Sequence, residues 1–180
     1  PDARDGDSDD SQSGRCRVHN CTDPSAPVTA AGFRSAYSDA LANLPTSYTS
    51  NAVSGSPVVQ FEFGDSGTYP VYGRVFDKDG AVANYQTPLT VANTPPTATL
   101  TADGPVTPGA TATVRFTGAA DPSAGDTAAG FRYTFALTPG GLAATYTAAG
   151  ASASASFTIT APTTVYARVF DRDDGYTEYT

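Results

Sequence analysis

The sequence predicts an all-β chain built as two tandem antiparallel β-sandwiches, on three observations. The chain repeats itself; its composition favours strands and turns over helices; and apolar alternation recurs in short runs at regular spacing. Residues 17–34 (RVHNCTDPSAPVTAAGFR) and 115–132 (RFTGAADPSAGDTAAGFR) match at an offset of 98, with 11 of 18 positions identical. A second block follows at an offset of 94, where VYGRVFDKD (71–79) meets VYARVFDRD (165–173) with seven of nine identical. Two blocks in the same order mean a duplicated unit of about 90 residues with an indel of four between the blocks. The Pro95-Pro96 pair cannot donate ladder hydrogen bonds and marks a stiff connector, so the domains are placed at 1–93 and 94–180.

Composition bounds the rest. Leu, Ile, Val and Phe number 29 of 180 residues, a poor supply for a core, but ten Tyr and nine Phe offset it with ring area. Thr and Ala, with 17 Gly and 14 Pro, suit short strands and turns. In the second domain the strands read TATLTA (97–102), TATVRFTG (111–118), GFRYTFAL (130–137), ASFTIT (155–160) and TVYARVFD (164–171). In the first they read RVHN (17–20), FRSAYS (33–38), VVQFEF (58–63), YPVYGRVF (69–76) and NYQTPLTV (84–91), with one helical turn at LANL (41–44). About seven short strands per unit without helices indicate an aligned sandwich. Alternation places Phe33, Tyr37, Val71 and Val75 in one core and Phe131, Phe135, Val165 and Val169 in the other, with Arg74 and Arg168 facing away.

Several functions are disfavoured. Nine Arg and one Lys against 18 acidic residues give a charge of −8, the wrong sign for binding nucleic acid. No run of about 18 apolar residues exists to insert in a membrane. One His and two Cys do not make a histidine- or thiolate-rich zinc site, and lone His19 has no nucleophile in a recognisable elbow. A non-enzyme is expected. With no Met and Pro1 at its start, the chain reads as an excised or processed piece of something longer.

Asp65-Ser66-Gly67-Thr68-Tyr69 fits the D-x-G-x-Y pattern that enters a late strand of immunoglobulin-like sandwiches, where the Tyr hydroxyl bonds upstream backbone. The second domain has Thr163 at that position and should lack the pin. The DPS…AAGF segment, the V-Y-x-R-V-F-D-x-D run, the aromatic beyond it (Tyr85, Tyr179) and the NTPP linker resemble tandem PKD or bacterial Ig-like repeats of large secreted or cell-surface proteins. The resemblance implies two seven-strand Ig-like sandwiches with a structural or adhesive role, extracellular or at the cell surface, whose partners are other repeats of the parent protein or cell-surface polymers. An alternative is a carbohydrate-binding accessory module of a secreted hydrolase, with Tyr72, Tyr146 and Tyr166 as candidate platform residues.

The acidic residues are 16 Asp and two Glu, a skew towards turn formers and Ca²⁺ ligands. In a seven-strand sandwich the B–C loop, the F–G loop and the incoming linker lie at one end, which brings Asp121, Asp171, Asp173 and Asn93 together at the domain junction. Asp23, Asp77 and Asp79 are their first-domain counterparts, approached by the run Asp5–Asp10, although no distal bidentate Glu follows. Solvated turns and a bound Ca²⁺ both remain open for these oxygens. Cys16 and Cys21 are candidates for a local disulfide. Residues five apart in a straight strand are about 16 Å apart, so the bond requires the segment to loop back, and free or intermolecular thiols stay open. Asn20-Cys21-Thr22 matches a glycosylation acceptor, which matters only in a host that reads it.

The second domain is expected to lack its last strand, leaving Tyr166–Phe170 with an open edge. Either the parent protein continues, or copies complete one another by strand exchange as subunits of a surface filament. A monomer is the expected result of sizing by light scattering; a regular polymer that dissociates only on unfolding would make the chain a filament subunit.

Overall fold

The computed structural model describes residues 13–17, 32–50, 54–56 and 58–180, with side chains from residue 32 onward. The chain divides into two compact units, Pro1–Ala92 and Asn93–Thr180. Both are all-β with antiparallel sheets.

In the first unit β1 (Ser13–Arg17) pairs with β3 (Val58–Glu62), and β2 (Arg34–Ser38), β4 (Gly67–Phe76) and β5 (Val82–Val91) form a second sheet in the order β2-β4-β5. The second unit holds β6 (Thr97–Ala102), β7 (Ala110–Ala120) and β9 (Ser154–Ile159) in the order β6-β7-β9. Its other sheet, β11-β10-β8, contains β8 (Arg132–Ala136), β10 (Tyr166–Phe170) and β11 (Tyr176–Tyr179). That unit is described throughout and has six strands, not the expected seven. It also carries a helix that the strand pattern did not anticipate, α1 (Ala124–Ala129), while the turn expected at LANL is a 3-10 turn at Leu41–Asn43.

The strand expected to be missing is present but short. β11 pairs Ala167 with Tyr179 and Phe170 with Tyr176, and β8 pairs the other side of β10, so Ala167–Phe170 have no open edge. Both tyrosines of β11 make ring contacts: Tyr176 lies 5.3 Å from Phe170, and Tyr179 meets Phe116 edge-on at 5.2 Å.

The inner faces follow the expected register in part. Val71, Val75 and Val169 are buried, but Phe33, Tyr37, Phe131, Phe135 and Val165 are half-buried. In the second unit the two sheets meet at Phe116, whose ring lies 5.7 Å from Tyr133 and 5.4 Å from Phe135. Arg74 and Arg168 each do face away from the valines of their own unit, yet the face they occupy is not bare. Phe76, Phe170, Ala36 and Ala136 are buried there too. The reason is the connection between the second and third strands of the first unit, which carries Leu44 and Tyr48 back over the sheet to pack on Ala36, Phe76 and Tyr72.

Arginines hold that cover in both units at matching positions. Arg74 Nη1 donates to Pro45 O (2.8 Å) and Arg168 Nη1 to Ala143 O (2.9 Å). Arg34 donates to Tyr48 O and stacks over the Tyr48 ring, while Arg132 donates to Ala149 O and stacks over Tyr146. Bonding carbonyls edge-on while covering a ring suits a planar guanidinium and not an ammonium.

The corner at β4 differs between units. Tyr69 Oη donates to Asp65 O (3.0 Å), as the motif predicts, and β4 runs for ten residues. At the matching position Thr163 donates to nearby Ala161 O, and β10 has five residues. Tyr69→Phe should lower the stability of the first unit by about 1 kcal/mol, the net worth of one hydrogen bond, read from denaturant unfolding. Thr163→Val should leave the second unit nearly unchanged.

Candidate metal centre

The site lies within the second unit and is built by three loops. The β10–β11 turn comes first. Asp171 Oδ1 accepts from the N–H groups of Asp173 and Gly175, both at 2.8 Å, and Asp171 N donates to Gly175 O. Asp77 does the same in the first unit, accepting from Asp79 N and Ala81 N. One oxygen of each aspartate is therefore a turn former. Asp174 takes the left-handed position of this turn (φ 67°), where the first unit has Gly80, and its carboxylate accepts from Tyr146 N.

The other oxygen of Asp171 faces inward and accepts from Asn93 Nδ2 at 2.9 Å. Asn93 is brought there because the entering segment is tied to β11: Thr177 Oγ1 donates to Pro96 O, and Ala98 N donates to Tyr179 Oη. Gly175 makes the approach feasible, since a Cβ at that position would overlap Asp171 Oδ2 and Asn93 Nδ2. The first unit has Ala81 at the matching position.

The third loop contains α1. Ser123 caps it, its hydroxyl accepting from Asp126 N (3.0 Å), and Gly130 ends it with φ 82°. An acidic residue three positions after a Ser cap normally reaches back to the cap N–H. Here that N–H already donates to Asp121 Oδ1 at 2.7 Å. The Asp126 carboxylate is displaced into the interior, where the residue is 0% exposed.

One carboxylate oxygen from each of Asp121, Asp126 and Asp171 lies within 4.8 Å of the others. Four buried oxygens in this cluster have no hydrogen-bond donor: Asp121 Oδ2, both oxygens of Asp126, and Asn93 Oδ1. Leaving buried oxygens unpaired costs free energy, and three clustered carboxylates add repulsion. Burial is the main cause that pushes the Asp121 and Asp126 carboxyls up from their ordinary value; Ser123 opposes it, and Asp171 and Asp173 reinforce it. Asp173 lies beside the cluster, its carboxylate partly exposed and 3.8 Å from Arg172 Nε.

Of the expected site residues, Asn93, Asp121 and Asp171 converge, and Asp173 contributes mainly its backbone and its field. Asp126 was not anticipated. The repeat alignment carries the one available signal, since Asp126 stands where the first unit has Val28. Asp77 acts as a turn former, and Asp79 pairs with Lys78. Asp23, the run Asp5–Asp10, His19, Asn20 and Cys21 lie outside the described residues, and so does any Cys16–Cys21 bond; Cys16 itself lies opposite Val59 in the β1–β3 ladder. Among the platform candidates, Tyr72 packs on the cover of the first unit, Tyr146 donates to Gly130 O beneath Arg132, and Tyr166 is half-buried in β10.

No protein-family model matches the chain, and no curated protein matches it.

Because the folded state raises these carboxyls above the unfolded value of 3.8, it holds their protons more tightly than the unfolded chain does. This contribution to stability is present at acid pH and is lost as pH rises from near 3.8 through the raised folded values. Asp126→Asn, fixed in the neutral form, should therefore be more stable than the parent chain at pH 7 in chelator. The gap should close as the pH falls towards 4, as read from thermal unfolding at each pH.

Proposed function

We propose that the chain is a pair of Ig-like, PKD-type modules with a non-catalytic, spacing or adhesive role outside the cell, and that its second unit is rigidified by one bound Ca²⁺. The single observation that carries the cation is the set of four buried oxygens without donors around Asp126. Oxygen-only donors, mostly carboxylates, suit a hard cation, and Ca²⁺ takes six to eight oxygens at about 2.3–2.6 Å. Ligand oxygens within 4.8 Å of one another can surround an ion at that radius. Asp121, Asp126, Asp171 and Asn93 would hold it, with water filling the remaining positions. A cation there would tie the entering segment at Asn93 to the β10–β11 turn and to α1, which is the connection a load-bearing module needs to keep stiff.

The sandwich reading is supported by two three-stranded antiparallel sheets meeting at Phe116 in the second unit and by the Tyr69 corner in the first. The extracellular assignment rests on the resemblance to secreted repeats. The two units should differ in metal binding, because the first replaces Asp126 by Val28 and Gly175 by Ala81.

Calorimetric titration with CaCl₂ should give one equivalent per chain. At a hundredfold excess over Kd, Ca²⁺ should stabilise the second unit by about 2.7 kcal/mol, a rise on the order of 10 °C for a domain of this size. Asp126→Val, which copies the first unit, should remove that rise. Identical melting curves in chelator and in millimolar Ca²⁺ would overturn the cation reading.

A further inference from the structure

The acidic cluster has a positive charge of its own at its edge. Arg172, second residue of the β10–β11 turn, places Nε 3.4 Å from Asp126 Oδ1 and 3.8 Å from Asp173 Oδ1. The Asp126 contact is an ion pair without a hydrogen bond, since Asp126 Oδ1 has no donor. The two partners are unlike in setting. Asp126 is wholly buried, whereas the Arg172 side chain is 41% exposed, so the guanidinium reaches the carboxylate from the solvent side. A long side chain rooted at the surface has more freedom to relocate than a buried one, while Asp126 is fixed by its place in α1 under the Ser123 cap.

Two cations drawn to Asp126 Oδ1 repel one another, and the repulsion grows as their separation and the local dielectric shrink. We infer that Arg172 is a tethered competitor for the cation site: its guanidinium partly neutralises Asp126 in the metal-free unit, and a divalent cation must displace it before Asp126 can serve as a ligand. The inference rests on the cation reading above and adds a regulatory element to that site. Arg172 offsets part of the carboxylate repulsion in the metal-free unit, and it sets a higher cation concentration for loading than the oxygens alone would need. The first unit has Lys78 at the matching turn position, where it pairs with its neighbour Asp79.

Calorimetric titration of the whole chain with CaCl₂ tests this with three variants. Arg172→Gln removes the competitor. Arg172→Lys keeps the charge. Arg115→Gln removes one charge from the exposed pair with Asp103 and controls for the general field. Arg172→Gln should bind Ca²⁺ on the order of tenfold more tightly than the parent chain and melt at a lower temperature in chelator. The other two should stay within about twofold of the parent affinity. If the parent chain binds Ca²⁺ and Arg172→Gln binds it no more tightly, or Arg115→Gln tightens binding equally, the competitor inference falls and the cation reading stands. If neither the parent chain nor any variant takes up Ca²⁺, the cation reading falls and takes the inference with it.

Discussion

The second unit is organised around the carboxylate of Asp171, whose two oxygens serve opposite ends. One closes the β10–β11 turn by accepting two N–H groups; the other is held towards Asn93 and the acidic cluster. A side chain used this way cannot rotate to relieve repulsion, because rotation would cost the turn its hydrogen bonds. Asp121 is fixed in the same manner by Ser123 N, and Asp126 by its position in a capped helix. The cluster therefore persists through the hydrogen bonds its members make elsewhere.

The duplication separates what the fold requires from what the cluster requires. Both units keep the arginine-held cover and the aspartate turn, down to the same donor on the same carbonyl position. In sequence, Val28 and Ala81 of the first unit stand where the second has Asp126 and Gly175.

Much of this was legible from residue types alone. Strands β2 to β10, the Tyr69 corner and the inward valines follow from alternation and from a motif whose chemistry resides in side chains. The cover over the second sheet was not legible, because the arginines bind the main-chain carbonyls of Pro45 and Ala143, and every residue type carries a carbonyl. Its apolar members, Phe76 and Phe170, sit one place after inward valines and break simple alternation. Asp126 was hidden for a different reason. Ser123 followed three residues later by an acid looks like a satisfied capping pair, and the prior bond from Ser123 N to Asp121 leaves the acid without a hydrogen bond. The last strand was expected to be missing, yet Tyr176–Tyr179 pair with Ala167–Phe170.

The β6-β7-β9 sheet wears a different surface. Thr99, Thr101, Thr111, Thr117, Ser156 and Thr158 stand exposed on it, short hydroxyls on stems that have few rotamers to lose. The whole chain is economical in this sense, with one lysine, two glutamates, three glutamines and no methionine. Long flexible side chains carry the largest entropic penalty for becoming ordered, and alanine carries none. A sequence with so few of them needs less apolar burial to remain folded, which is how a chain this poor in leucine and isoleucine can hold sheets of two or three strands among the described residues.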